Sequence, residues 1–222
     1  MVPIFITGIG TDVGKTVVSA IVTEALGAHY WKPVQAGFDQ GTDSQWVAER
    51  ISSPHGRILP ETYRLRMPAS PHIAAREEKI TISLDKIKEQ YLSFKAAMPA
   101  PAGGKTIPLV IEGAGGLLVP LNDDQFVPDL VKALDATVLL VSRNYLGSIN
   151  HSLLTAAVCK AHQLKVAGWI FNEQYLHYET EIARWTSLPI IGSIPRHPAP
   201  DSEFIREQAE RIRPALHEFF LM

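Results

Sequence analysis

The chain has 222 residues, 46% hydrophobic and 20% charged, enough apolar material for one domain burying roughly 70% of its extended-chain surface, and intrinsic disorder is excluded as its main state. Lysine and arginine number 21 against 23 aspartates and glutamates, a formal net charge of −2, so no bulk basic field attracts a nucleic acid or an anionic membrane. The single cysteine, Cys159, cannot make an intrachain disulfide. The start Met1-Val2-Pro3-Ile4-Phe5-Ile6 carries neither a charged leader nor a cleavable apolar stretch, and no apolar run approaches the roughly 18 residues of a membrane span; the expectation is a soluble cytoplasmic protein.

The apolar run Ile4 to Ile6 meets a turn cluster from Thr7 to Gly14, after which Val17, Val18, Ile21, Val22, Ala25 and Leu26 recur at helical spacing. A short apolar patch at Tyr30 and Trp31 ends at Lys32-Pro33, and a helix-like run spans Ser44 to Ile51. Regularity fades between 52 and 80, where Pro54, Pro60, Pro68 and Pro71 predict a long irregular excursion; connections of this length are usually functional. A helix is expected from Ser83 to Met98, broken by Pro99, Pro101, Gly103 and Gly104. Strands follow at Ile107 to Ile111, Ala136 to Val141, Val166 to Phe171 and Pro189 to Ile194, with a helix over Ile149 to Ala161 and a last one capped near Asp201. Short continuous apolar strands alternating with helices predict an α/β fold, a mostly parallel sheet covered by helices on both faces.

Between the first strand and first helix stands Gly8-Ile9-Gly10-Thr11-Asp12-Val13-Gly14-Lys15-Thr16. Backbone N–H groups of such a loop, with the helix N-terminal dipole, cradle an anion. Lys15 would reach the β- and γ-phosphates and Thr16 would offer its hydroxyl to Mg²⁺. Five residues rather than four separate Gly8 from Gly14, so the strict spacing is missed by one. The strand-to-helix context still favours nucleotide binding over an ordinary glycine turn, and the expected architecture is a single P-loop NTPase-like domain over residues 1–222.

Two carboxylates are candidates to complete a metal site. Glu112 ends a buried strand at the carboxyl edge of the sheet, where open α/β sheets bind ligands, and Gly113, Gly115 and Gly116 after it permit close approach. Asp43 precedes a helix-like run and reads equally well as a helix N-cap or a metal ligand. Mg²⁺ held by one hydroxyl, one or two carboxylates, phosphate oxygens and water is chemically sensible.

Gly10-Thr11-Asp12-Val13-Gly14-Lys15-Thr16, Lys32-Pro33-Val34-Gln35-Ala36-Gly37, Ser70-Pro71-His72-Ile73-Ala74-Ala75, Glu112-Gly113-Ala114-Gly115-Gly116 and Leu146-Gly147-Ser148-Ile149-Asn150-His151 together resemble the dethiobiotin synthetase family, in order and over residues 4 to about 195. The resemblance implies a homodimeric enzyme of biotin synthesis that uses ATP, Mg²⁺ and CO₂ (or bicarbonate) to close a cyclic urea on 7,8-diaminononanoate. In the family's chemistry an amine becomes a carbamate, the carbamate attacks the γ-phosphate to form a carbamic-phosphoric anhydride, and the second amine displaces phosphate. Positioned lysines and Mg²⁺ neutralise the two anions as they approach.

By residue-to-residue match, Lys15 and Lys32 are the implied catalytic lysines, and Thr16, Asp43 and Glu112 the metal ligands. Asp12, Val13, Gly14 and Val17 fall in the implied phosphate loop with Lys15 and Thr16, and Gly113, Ala114 and Gly115 in the nucleotide-contacting turn after Glu112. Asn172 matches the family's adenine-contacting asparagine and Pro195 lies in the segment bordering the base; by themselves they read as a strand-end turn residue and a helix stop. Gly147, Ser148 and Asn150 open a helix whose N-terminus, from the opposite subunit, receives the substrate carboxylate in the family; on their own they read as a cap. Ala36 departs from the family, where serine or threonine is frequent, and so lacks a hydroxyl that contacts substrate.

Eight histidines form no His-Glu-x-x-His arrangement. Cys159 and His162, three apart, read as a core thiol beside a surface imidazole, and the clusters Glu77 to Lys79 and Arg206 to Arg213 as solvated helix faces. His72 has no role visible in the sequence. The rival function is a nucleotide switch acting on a protein partner; such switches often carry an extra lysine early in the loop, and positions 8 to 13 have none. A third reading, amide formation on a larger carboxylate, finds no room for an appended glutaminase-like domain.

Overall fold

The computed structural model describes residues 2–52, 56–98, 107–173 and 176–220. The expected break at Pro99, Pro101, Gly103 and Gly104 lies outside them, as does Pro54. In chain order the elements are β1 (Pro3–Gly8), α1 (Lys15–Leu26), β2 (His29–Trp31), β3 (Val34–Ala36), α2 (Asp43–Ala48), β4 (Ile58–Leu59), β5 (Tyr63–Leu65), α3 (Pro71–Glu77), α4 (Leu84–Ala97), β6 (Leu109–Gly116), α5 (Val127–Ala133), β7 (Thr137–Arg143), α6 (Ser148–Ala161), β8 (Val166–Asn172), α7 (Glu179–Thr186), β9 (Ile190–Ile194) and α8 (Ser202–Phe220).

Seven of the described strands form one parallel sheet in the order β4-β2-β6-β1-β7-β8-β9. Successive residues of a strand face opposite sides, and the central strand divides accordingly. Ile4 and Ile6 pack with Tyr30, Val110 and Leu139 under α1 and α8, through Val18, Ile21, Ile205, Ala209 and Ile212. Phe5 packs on the other side with Trp31, Ile111, Val138 and Leu140, under Ile87 and Tyr91 of α4, Leu130 of α5, Cys159 of α6 and Ile182 of α7. A two-faced sheet needs strands that are apolar throughout, which is why they read as continuous apolar runs.

The excursion between 52 and 80 is less irregular than its prolines suggest. It contributes the edge strand β4, and β5 pairs with β3 in a second, two-stranded parallel sheet. These strands are two and three residues long, too short for periodicity to register. α3 starts at Pro71, a residue tolerated at the first helical position because its missing N–H would go unpaired there anyway. Two helices had no specific sequence signal: α5 covers only two turns, and α7 has a half-buried apolar stripe on a strongly polar segment.

The topology reverses at β1. The chain crosses to β2 and β4 on one side, returns to β6 beside β1, then continues through β7, β8 and β9 on the other side. Ligands bind at the carboxyl edge of such a switch point, and here the loop after β1 faces the end of β6. The register pairs Ile6 with Glu112 and Gly8 with Gly116.

Candidate active site

The phosphate loop ends on Gly14, the N-cap of α1, at φ 86°, a left-handed conformation that glycine adopts without a steric penalty. No side chain caps this helix, so its first N–H groups remain available to an anion. Lys15 is 7% exposed and its Nζ donates to the Gly10 carbonyl at 2.8 Å. Burial is the main cause of a lysine pKa lowered to about 8; Glu112 pulls it up and Lys32 pushes it down. The ammonium is thus held at the floor of the loop with little counter-charge of its own, the setting in which an incoming phosphate gains most. Val13 turns its side chain into the core against Gly8, leaving only its backbone to the loop. Arg143 at the end of β7 ties the loop down by donating to the Asp12 carbonyl at 3.3 Å while pairing with Glu173.

Lys32, Asp43, Glu112 and Thr16 meet beside this loop. Trp31 pairs with Ile111 across β2 and β6, so the next residues of the two strands, Lys32 and Glu112, come level, and Lys32 Nζ lies 2.8 Å from Glu112 Oε1. The same ammonium pairs with Asp43 Oδ2. Thr16 Oγ1 stands 2.9 Å from Glu112 Oε1 and 3.1 Å from Asp43 Oδ1. Desolvation opposes the charge on Lys32, but Glu112 and Asp43 outweigh it and hold the ammonium above its usual pKa. For Asp43 burial acts against ionisation, and Lys32 with the hydrogen bonds from Thr16 and Gln35 prevails to lower it.

Asp43 is not the cap of α2. Thr42 is, in a capping box with Gln45, and this leaves the Asp43 carboxylate free to point into the site. The structure removes the helix N-cap reading and sets the Asp43 carboxylate beside Thr16 and Lys32. Gln35 reinforces it: its Oε1 accepts from the Asp43 N–H at 3.1 Å, and its Nε2 donates to the Gly37 carbonyl at 2.9 Å.

A cavity of about 800 Å³ opens over these groups, lined among others by Lys15, Thr16, Lys32, Asp43, Glu112 and Ala36. Ala114 and Gly115 also line it. Gly113 does not: a Cβ there would lie 2.8 Å from the ring of Phe5, so this glycine serves strand packing. One hydroxyl and two carboxylates converging at the mouth of a phosphate loop are hard oxygen donors of the kind Mg²⁺ takes. Lys32 meets the charge requirement of the pair in this structure.

A smaller cavity of about 170 Å³ lies across the loop, lined by Gly14, Val17, Asn172, Pro195, His197 and Phe204 among others. It brings Asn172 and Pro195, both expected at the base, together with Gly14 and Val17 of the phosphate-loop segment. Asn172, buried at the end of β8, donates to the Val13 carbonyl at 3.1 Å. Gly147 is the left-handed N-cap of α6 at φ 101° and no side chain caps that helix. Ser148 is buried and bonded to Tyr178 Oη at 2.6 Å, whereas Gly147 and Asn150 are exposed. None of the three lines the large cavity of their own chain.

Sequence reasoning missed Tyr30, Gln35 and Arg143. Tyr30 Oη donates to Glu112 Oε2 at 2.8 Å inside the core. Its signal was the strand pairing: Tyr30 is level with Val110 and shares a face with Glu112 two residues on.

The chain is 51% identical over 168 residues to an ATP-dependent dethiobiotin synthetase of Cytophaga hutchinsonii, covering 76% of this chain and 75% of that one. It is 42% identical over 215 residues to that of Christiangramia forsetii, covering 96% and 97%. The chain belongs to the dethiobiotin synthetase family. Residues 3–203 also match a family described as an AAA domain. Among solved structures, the MinC:MinD cell division protein complex of Aquifex aeolicus is similar with a TM-score of 0.61 at 14% identity, covering 99% of this chain and 96% of that one. MinD of Pyrococcus horikoshii complexed with Mg-ADP gives 0.60 at 17%, covering 98% and 95%. At these identities the likeness shows the P-loop NTPase fold alone. It gives the nucleotide-switch reading no support, while the dethiobiotin synthetase family places the chain among ATP-dependent ligases. No helix among the described residues is long and apolar enough to cross a membrane.

Proposed function

We propose that the chain, as a homodimer, closes the ureido ring of dethiobiotin from 7,8-diaminononanoate and CO₂ with ATP, releasing ADP and phosphate. The observation that carries this reading is the placement of Lys15 and Lys32, two buried cations, in one cavity with Thr16, Asp43 and Glu112. A carbamate and a triphosphate repel each other, so an enzyme joining them must supply positive charge from both sides. Lys15 holds the phosphates at the loop. Lys32 neutralises the carbamate of the first amine as its oxygen attacks the γ-phosphate, and the second amine then displaces phosphate from the mixed anhydride. Mg²⁺, held by Thr16, Asp43 and Glu112, would neutralise charge on the transferring phosphoryl group.

Asn172, Val17 and Pro195 border the adenine, and the Ala114-Gly115 backbone borders the nucleotide. The substrate carboxylate goes to the N-terminus of α6 of the partner subunit, at Gly147, Ser148 and Asn150. The exposure of Leu146 at 90%, just before that helix start, and of Leu154 at 57%, nearly two turns into the helix, supports an interface there. Ala36 offers the diamine only a methyl group.

Incubation with the diamine, Mg-ATP and labelled bicarbonate should place acid-stable label in dethiobiotin. ATP hydrolysis without such a product would overturn the substrate assignment.

A further inference from the structure

Glu112 divides its two oxygens between different kinds of partner. Oε1 faces the cavity and meets Thr16 and Lys32. Oε2 turns into the core and accepts from the Tyr30 phenol. Glu112 is 1% exposed and Tyr30 fully buried, so the two are fixed against each other by packing.

Mg²⁺ takes carboxylates through single oxygens in a strict octahedron, whereas the larger Ca²⁺ readily takes both oxygens of one carboxylate and fills six to eight positions. We propose that Tyr30 sets which divalent cation the site accepts: by occupying Oε2 it restricts Glu112 to one oxygen and so discriminates against Ca²⁺. The inference rests on the reading of Thr16, Asp43 and Glu112 as metal ligands. It makes Tyr30 a positioning residue that acts through Glu112.

The test reads binding. Mn²⁺ is loaded on the protein in the presence of ADP, followed by electron paramagnetic resonance, and displaced by Mg²⁺ or Ca²⁺. Tyr30→Phe, which keeps the ring and removes the hydroxyl, should shift the Ca²⁺-to-Mg²⁺ displacement ratio toward Ca²⁺ by about tenfold, the scale on which partners of metal ligands act. In a Glu112→Gln background, which has no second carboxylate oxygen, the same change should leave the ratio where it was. Loss of packing alone would weaken both ions together. An unchanged ratio in Tyr30→Phe with Mn²⁺ still bound, or an equal shift in the Gln background, overturns the role of Tyr30 and leaves the ligand set standing. Failure of the unaltered protein to bind Mn²⁺ overturns both. Should Tyr30→Phe not fold, Tyr30→Met, an unbranched chain of similar reach, carries the same expectation.

Discussion

A β-carbon on Gly14 would stand 2.0 Å from the Asn172 side-chain nitrogen. The asparagine occupies that space to hold the Val13 carbonyl at 3.1 Å, joining the phosphate loop to the end of β8 across 159 positions of sequence. Gly14→Ala therefore meets two penalties, a side chain at φ 86° and a collision with the residue that braces the loop. A left-handed non-glycine residue costs about 1–3 kcal/mol. Denaturant unfolding should show a loss of that size, and calorimetric titration should show ATP affinity reduced more than tenfold. Asn172→Ala should cost less stability in the Gly14→Ala background than in the unaltered protein, because there it also removes the collision.

Lys32→Ala leaves two carboxylates without their shared cation. Removing one partner of a buried pair costs about 3–5 kcal/mol, and the exposure of Asp43 should reduce this to about 2 kcal/mol; the Asp43 side chain is 31% exposed. Turnover should fall far more than ATP affinity, and the same holds for Lys15→Ala. The stability deficit carries a pH signature. The Lys32 contribution, from a raised pKa, is complete below 10.5 and lost as pH rises through its folded value. The Asp43 contribution, from a lowered pKa, is complete above 3.8 and lost as pH falls through its folded value. Thermal melts of the two proteins should differ by a constant amount between these limits and converge outside them.

The layered α/β order was legible because each central strand is buried on both faces and therefore apolar throughout. The phosphate loop was legible because Gly14, Lys15 and Thr16 stand between a strand and a helix. Asp43 stayed ambiguous in the sequence since Thr42 and Asp43 are both good caps; only the capping box with Gln45 decides which one does it. Tyr30 was invisible as a site residue because its register with Val110 is a tertiary fact. The strands β4 and β5, two and three residues long, are shorter than two periods of strand alternation.

Cys159 offers a check on the core between α6 and the sheet. It is 2% exposed, and burial raises its thiol pKa to about 12. At pH 8 only about one molecule in ten thousand carries the thiolate, the reactive form. Iodoacetamide should leave the native protein unlabelled over hours, while urea-unfolded protein should take up one equivalent within minutes. Rapid labelling of the native state would mean that this part of the core opens.

The proposed active site shared between two subunits predicts complementation. On the proposed reading Lys32→Ala would disable the phosphoryl-transfer side of a site, and Asn150→Ala together with Ser148→Ala would weaken the helix start proposed to receive the carboxylate across the interface. Each variant alone forms only defective sites. In a mixed dimer one site combines both defects and the other has neither. Mixing the two inactive proteins in equal amounts after subunit exchange should therefore restore up to about a quarter of wild-type turnover, half the dimers being mixed and one of their two sites intact. No recovery, with subunit exchange verified by mass spectrometry, would mean that Ser148 and Asn150 serve the site of their own chain. Leu154→Arg, placing a charge on the half-exposed face of α6, should abolish both the dimer in sedimentation velocity and the recovery, while leaving ATP binding at the phosphate loop intact.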